Sequence, residues 1–222
     1  GGALPVYVLK IDPQRYRFNL LSASEKGGGA RSLKRWSEDF GLHAVINAGM
    51  YQEENTERST GFMKNFEHLN NPSVNPAYGA FMVFNPVDDS LPPVQFVDRR
   101  RQLDWKSIIN RYQSVIQNYR MISDRERTGW SPDARMHSTA ALGMDGDGNV
   151  LFIFSSMPRT THDFIGLLLE LPVDIRDVMY LEGGAYAGMY CRSELVRSGL
   201  LTGLDHLPSL KIPNVLSVLP LR

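Results

Sequence analysis

The chain has 222 residues, 42% hydrophobic and 10% aromatic, with 24 Lys and Arg against 24 Asp and Glu. That composition excludes disorder, collagen and a disulfide scaffold: the length suffices to bury a core unaided, and Cys191 is the single cysteine. A net charge of zero removes the global attraction on which binders of nucleic acid and anionic membranes rely, so no nucleic-acid partner is expected and any anion must be met by a local cluster of cations. No apolar run reaches the roughly 20 residues a membrane helix needs. The longest, around Phe164 to Leu171, is broken by Gly166 and Glu170.

Gly1-Gly2-Ala3-Leu4 leads directly into strand-like sequence, so any signal peptide is expected to be already gone. No Asn-x-Ser/Thr acceptor occurs, because Asn71-Pro72-Ser73 is excluded by its proline. Pro5 to Asp12 and Tyr16 to Ala23 are β-rich, and Asp12-Pro13-Gln14 between them is turn chemistry, which predicts an antiparallel pair. Leu33, Trp36 and Phe40 stand at helical spacing and close on Gly41, a short packing helix. His43 to Asn47 is a buried strand opening into the loop Ala48 to Ser59, with His43 expected as a satisfied core histidine.

Further strands are predicted over Gly61 to Asn65, Tyr78 to Asn85, Val94 to Asp98 and Ser114 to Ile122, with a helix over Leu103 to Tyr112 and a polar loop over Ser123 to Arg135. Thr139 to Asp145 and Asn149 to Ser155 flank Gly146-Asp147-Gly148, a hairpin signal. A helix over Thr161 to Leu171 precedes a strand, Arg176 to Glu182, that ends at Gly183-Gly184, and Ile212 to Leu219 is the last strand. Strands come in runs, without strict alternation with helices. The expected fold is therefore α+β, one domain over residues 1–222, a mixed and largely antiparallel twisted sheet with a few packing helices.

Two motifs have bland readings. Asp145-Gly146-Asp147-Gly148-Asn149 opens like a calcium loop, but Val150 and Ser156 occupy the positions that need Gly and Glu, so a turn and no metal are expected, and no cofactor. Asp98-Arg99-Arg100-Arg101, just after a strand, reads as a solvated edge. A third motif says more. Glu182, at the end of a buried strand and before two glycines, puts a carboxylate where backbone opens and a ligand can approach. Asn47-Ala48-Gly49-Met50-Tyr51 has the same form, and two such openings in one sheet suggest a shared pocket. No nucleophile elbow, zincin motif, Walker loop or dinucleotide fingerprint occurs.

The same openings carry a resemblance. Ile46-Asn47-Ala48-Gly49-Met50-Tyr51, Ser138-Thr139-Ala140-Ala141-Leu142-Gly143-Met144-Asp145 and Tyr180-Leu181-Glu182-Gly183-Gly184 resemble, in order and spacing, the Asn-Gly-Gly-Phe-Phe, Arg-Thr-Ala-Ile-Gly and Leu-Asp-Gly-Gly-Gly blocks of the phosphodiester glycosidase family. Its best-known relative is the lysosomal enzyme that uncovers mannose 6-phosphate by removing N-acetylglucosamine from a phosphodiester. Gly61 to Asn65, Val115 to Met121 and Thr161 to Phe164 resemble its bacterial branch. Two positions depart: Thr139 stands where the uncovering enzyme's block has Arg, and Glu182 where it has Asp.

The resemblance implies hydrolysis of a glycosyl phosphodiester or related glycosidic bond, releasing a sugar, in an exported bacterial protein. Glu182 is the expected principal carboxylate, as general base or nucleophile, with Asp163 or His162 as second titrating group. Asn47, Gln117 and Tyr186, with Gly49, Tyr51, Thr139, Gly183 and Gly184, are expected around the sugar. Lys64 and Arg120, with Arg135 as a third candidate, are expected to converge beside Glu182 and hold phosphate. The competing expectation is a glycan- or envelope-binding module that kept the pocket without chemistry, with only one well-placed carboxylate. Oligomeric state is not addressed by the sequence.

Overall fold

The computed structural model describes residues 6–192 and 210–221; Gly1 to Pro5, including the expected start of the first strand, lie outside them. In chain order the elements are β1 (Val6–Ile11), β2 (Tyr16–Ser22), the one-turn helix α1 (Ala23–Lys26), α2 (Leu33–Phe40), β3 (Ala44–Asn47), β4 (Met63–Asn65), β5 (His68–Asn71), β6 (Ala80–Pro86), β7 (Val94–Asp98) and α3 (Trp105–Asn110). Then follow β8 (Tyr112–Asn118), β9 (Arg120–Ser123), β10 (Glu126–Arg127), β11 (His137–Asp145), β12 (Val150–Arg159), α4 (Thr161–Glu170), β13 (Ile175–Gly183), β14 (Met189–Cys191) and β15 (Asn214–Pro220). The α+β class holds, and the strand pairs among the described residues are antiparallel.

The strands divide into three sheets: six in the order β1-β12-β11-β13-β9-β10, four in the order β14-β3-β15-β2, and five in the order β5-β4-β8-β6-β7. Period-2 alternation sets the layers. On β6, Ala80, Met82 and Phe84 face a core shared by all three sheets, while Phe81 and Val83 face outward onto Ile109 of α3. On β12, Phe152 and Phe154 face the same core, while Leu151 and Ile153 meet Phe164, Ile165 and Leu168 of α4. On β15, Leu216 and Val218 point inward, while Val215 meets Trp36 of α2. Each sheet thus has the common core on one face and a helix on the other, which is why its strands read as nearly unbroken apolar runs.

The helices end where their caps dictate. The Ser32 side chain accepts from the Arg35 amide at the start of α2, and Gly41 closes it in the left-handed conformation. The Thr160 hydroxyl accepts from the Asp163 amide, 3.0 Å, at the start of α4. Thr160→Ala is expected to cost about 1 kcal/mol, seen as a lower urea midpoint at unchanged slope.

Three expectations are corrected here. The turn after Asp12 forms, with the Arg15 and Tyr16 amides bonded to the Asp12 carbonyl, but its flanking strands part: β1 pairs with β12 and β2 with β15. Turn chemistry fixes a local reversal, whereas pairing follows the face each strand can bury. The run Asp98 to Arg101 follows an edge strand and is solvated only in part: Arg100 and Arg101 are exposed, whereas Asp98 is not. Asp98 is 1% exposed and bonds Arg120 at 2.7 Å, and Arg101 Nη1 bonds Asp177 at 3.0 Å. The turn after β7 aims these side chains across the boundary onto the six-stranded sheet. His43 is only partly buried, and its Nδ1 has no partner among the described residues. The Asp145 turn forms as expected, its carboxylate accepting the Asp147 and Asn149 amides.

Candidate functional site

Strands β8 and β9 are almost continuous, with Tyr119 alone between them, so the chain passes from the five-stranded sheet into the six-stranded one at that residue. The crossing lies beside the end of β13: the Tyr180 amide donates to the Tyr119 carbonyl at 2.9 Å, and Asn118 Nδ2 donates to the Leu181 carbonyl at 3.2 Å. The exit of β3 reaches the same place. Asn47 Nδ2 donates to the Tyr186 carbonyl at 2.9 Å and Asn47 Oδ1 accepts the Gly188 amide at 2.8 Å, tying down the turn after Glu182. The openings after β3 and β13 belong to different sheets, not to one, yet they meet.

Glu182 sits at this junction. Burial pushes its carboxyl up from 4.5 to about 7, and the Gly183 amide, 2.9 Å from Oε1, offsets this only in part. The phenols of Tyr180, Tyr51 and Tyr78 are all pushed up, chiefly by burial and further by the Glu182 charge. Tyr51 meets Tyr186 edge to face, centroids 5.3 Å apart. The carboxylate therefore stands in a cup of phenols, partly buried yet at the mouth of a strand.

Gly183 admits no side chain, because a Cβ there would run into Tyr180 Oη and would lie 2.8 Å from His137 Nδ1. Gly184 holds φ +68, the left-handed region glycine favours. Gly183→Ala is expected to cost about 1–3 kcal/mol by overpacking. A thermal melt beside the wild type checks it.

A run of rings leads away from the carboxylate. Tyr78 and Tyr119 stand 4.4 Å apart by centroid, Tyr119 and Trp130 5.5 Å, and Trp130 and Tyr180 6.0 Å. Tyr119 and Trp130 also wall a cleft of about 660 Å³ whose cations are Arg99, Arg100 and Arg120. Among the described residues, no group of three or more His, Cys, Asp or Glu could hold a metal ion, and no helix is long and apolar enough to cross a membrane.

A family model described as phosphodiester glycosidase (NAGPA) matches residues 40–219, most of the chain and all three sequence blocks noted above. The chain belongs to the phosphodiester glycosidase family. Solved structures share the fold. A hypothetical protein from Synechocystis superposes with a TM-score of 0.64 at 13% identity, covering 98% of this chain and 59% of that one. The zebrafish N-acetylglucosamine-1-phosphodiester alpha-N-acetylglucosaminidase catalytic domain, auto-inhibited by its pro-peptide, gives 0.62 at 12% identity, covering 96% and 82%. No curated protein matches the chain.

Measured against the sites expected for a phosphodiester glycosidase, the structure brings some residues together and not others. Asn47, Tyr51, Glu182, Gly183, Gly184 and Tyr186 assemble. Gly49 packs beside Asn118 and Ser59, and Thr139 is buried opposite Gly183 in the ladder. Gln117 does not face a ligand. It is 1% exposed and saturated, accepting the Phe62 and Asn75 amides and donating to the Asn75 and Tyr78 carbonyls. Lys64 alternates with core-facing Met63 and so projects from the other face of β4. Arg135 is exposed in the segment before β11, where its amide caps Asp133. The expected convergence of Lys64, Arg120 and Arg135 beside Glu182 does not form; of the three, Arg120 alone lines the cleft, together with Arg99 and Arg100.

His162 and Asp163 occupy the first turn of α4. The Asp163 side chain is 68% exposed, and the Thr160 hydroxyl and then His162 hold its carboxyl low. Helix α4 reaches the site through another residue, Thr161, whose hydroxyl lies 3.4 Å from His137 Nε2. His137 itself escaped the sequence reading. Its Nδ1 is 3.2 Å from the Thr139 hydroxyl and its ring meets Tyr180 edge-on at 6.2 Å. The available signal was its spacing, two residues before Thr139 on the same strand.

Proposed function

We propose that this phosphodiester glycosidase hydrolyses a glycosyl phosphodiester with Glu182 as its catalytic carboxylate, releasing free sugar. The observation that carries the reading is Glu182 itself: a carboxyl pushed to about 7, at a strand end where three sheets meet, among Tyr78 and Tyr180, whose rings touch the Tyr119 and Trp130 walls of an arginine-lined cleft. A phosphomonoester leaves readily, so protonating it matters less than stabilising the oxocarbenium-like centre and gathering the phosphate. The C–O bond to phosphate breaks, water adds its oxygen to the anomeric carbon, and Glu182 either takes the water's proton or first bonds that carbon as nucleophile. Both roles use its ionised form.

Tyr51 and Tyr186 are the proposed face for the sugar, which is N-acetylglucosamine by analogy with the zebrafish enzyme. Arg120 is the proposed nearest cation for the phosphate. The setting proposed, following the family resemblance, is a bacterial periplasm, envelope or exterior.

One observation favours a second reading, a glycan-binding module without turnover. Asp163, the expected partner carboxylate, is exposed on α4, so Glu182 is the one expected catalytic carboxylate at the junction. A panel of sugar 1-phosphodiesters and plain glycosides, screened for released sugar, decides between them. The hydrolase reading expects free sugar from at least one phosphodiester; saturable sugar binding with no product across the panel would replace it with the second.

A further inference from the structure

The cleft walled by Tyr119 and Trp130, which Tyr78 and Tyr180 connect to Glu182, is larger and more cationic than one scissile phosphate requires. At about 660 Å³ it has the size of a site for a whole small-molecule ligand. Its three guanidiniums face one acid: Asp98 bonds Arg120 at 2.7 Å, leaving an excess of positive charge. The arginines are held in different ways. Arg99 Nη1 is fixed on the Asn75 and Tyr78 carbonyls, with its guanidinium 4.8 Å over the Trp105 ring. Arg120 is 12% exposed, close against Gly79, and its Nε is buried without a partner among the described residues. Arg100 is exposed, and its amide is bonded to Asp98.

The rings differ in the same way. Trp105 is occupied on both sides, stacked on Phe81 at 5.2 Å and covered by Arg99. Trp130 is half-buried and held rigidly. Its Nε1 donates to the Arg120 carbonyl at 2.7 Å, and it meets Tyr119 edge-on at 71° and Tyr180 at 37°. A fixed, partly open indole beside guanidiniums with unused donors suits a ligand with a planar ring at one end and phosphate at the other.

We infer that this cleft is the leaving-group subsite and that its occupant is a nucleoside phosphate, with the base on Trp130 and the phosphate on Arg100 and Arg120. The absence of Walker and dinucleotide motifs is no obstacle, because the donors are side chains and not a glycine-rich loop. This assignment rests on the hydrolase reading for calling the cleft a leaving-group subsite, but not for the binding it predicts.

Calorimetric titration of the wild-type chain at low salt with uridine 5′-monophosphate, glycerol 3-phosphate and inorganic phosphate tests it. Uridine monophosphate is expected to bind about ten-fold more tightly than the other two, the scale of one base–aromatic contact. Trp130→Leu is expected to erase that preference, and Arg100→Ala, at an exposed position, to weaken all three anions about ten-fold. Equal binding of the three anions to wild type, or binding of none, overturns the inference. If the nucleotide binds with this preference while no phosphodiester is cleaved, the nucleotide site stands and its reading as a leaving-group subsite falls with the hydrolase reading. If sugar is released but the nucleotide has no advantage, the reverse holds.

Discussion

Glu182→Gln is expected to lower turnover of a glycosyl phosphodiester by roughly 10²–10⁴-fold, the usual contribution of a positioned acid or base. It is also expected to stabilise the protein above neutral pH. The sign follows from linkage: burial raises the folded-state carboxyl from 4.5 to about 7, so between those values the folded state holds the extra proton. Stability associated with Glu182 therefore falls as pH rises through that window, and above about 7 the ionised, buried group is a full liability. Glutamine keeps an acceptor for the Gly183 amide and removes the charge. The gain is on the order of 3 kcal/mol above pH 8 and vanishes below about pH 4.5. Urea titrations at pH 4.5 and 8.5 measure it. A variant that is inactive yet no more stable at pH 8.5 would show that Glu182 is better solvated than its place among Tyr180, Tyr51 and Tyr78 implies.

The second large effect is expected at the pair beneath the cleft. Asp98 is 1% exposed; burial alone would raise its carboxyl, but the Ser123 hydroxyl, the Arg100 amide and the Arg120 guanidinium outweigh burial and hold it low. A depressed carboxyl contributes stability above its unfolded value of 3.8 that is lost as pH falls through the folded one. Arg120→Ala leaves that charge buried without its cation and is expected to cost about 3–5 kcal/mol at pH 7. The double variant Arg120→Ala/Asp98→Ala is expected to cost less than the sum of the single ones, because it removes the orphaned charge as well. Additive losses in denaturant titrations would mean that the two side chains do not depend on each other. The pair also joins β7 to β9, so its loss loosens the floor under Trp130 and Tyr119.

What the sequence disclosed follows from the range of the interactions involved. Helices α2 and α4, the Asp145 hairpin and the strand ending at Glu182 rest on local spacing and on caps such as Ser32 and Thr160, and all were legible. Division into three sheets was not, because β1 and β2 are separated by partners far along the chain, β12 and β15. Glu182 was legible as a carboxylate before two glycines. Gln117 misled because an amide near a site can clamp a loop as readily as a ligand, and here its four bonds go to backbone groups. Arg99 and Arg100 read as part of an edge run, since nothing within four residues announces Asp98's partner, Arg120. His137 contacts Thr139 and Thr161 only through folding.

The pH dependence of kcat/KM for sugar release, followed from pH 5 to 9 in wild type, tests the central assignment most directly. With Glu182 acting in its ionised form, the rate is expected to rise through an apparent pKa near 7 and then level off, and the residual activity of Glu182→Gln is expected to lack that limb. A wild-type profile that falls across neutrality, or the same rising limb in Glu182→Gln, would place the working carboxylate elsewhere.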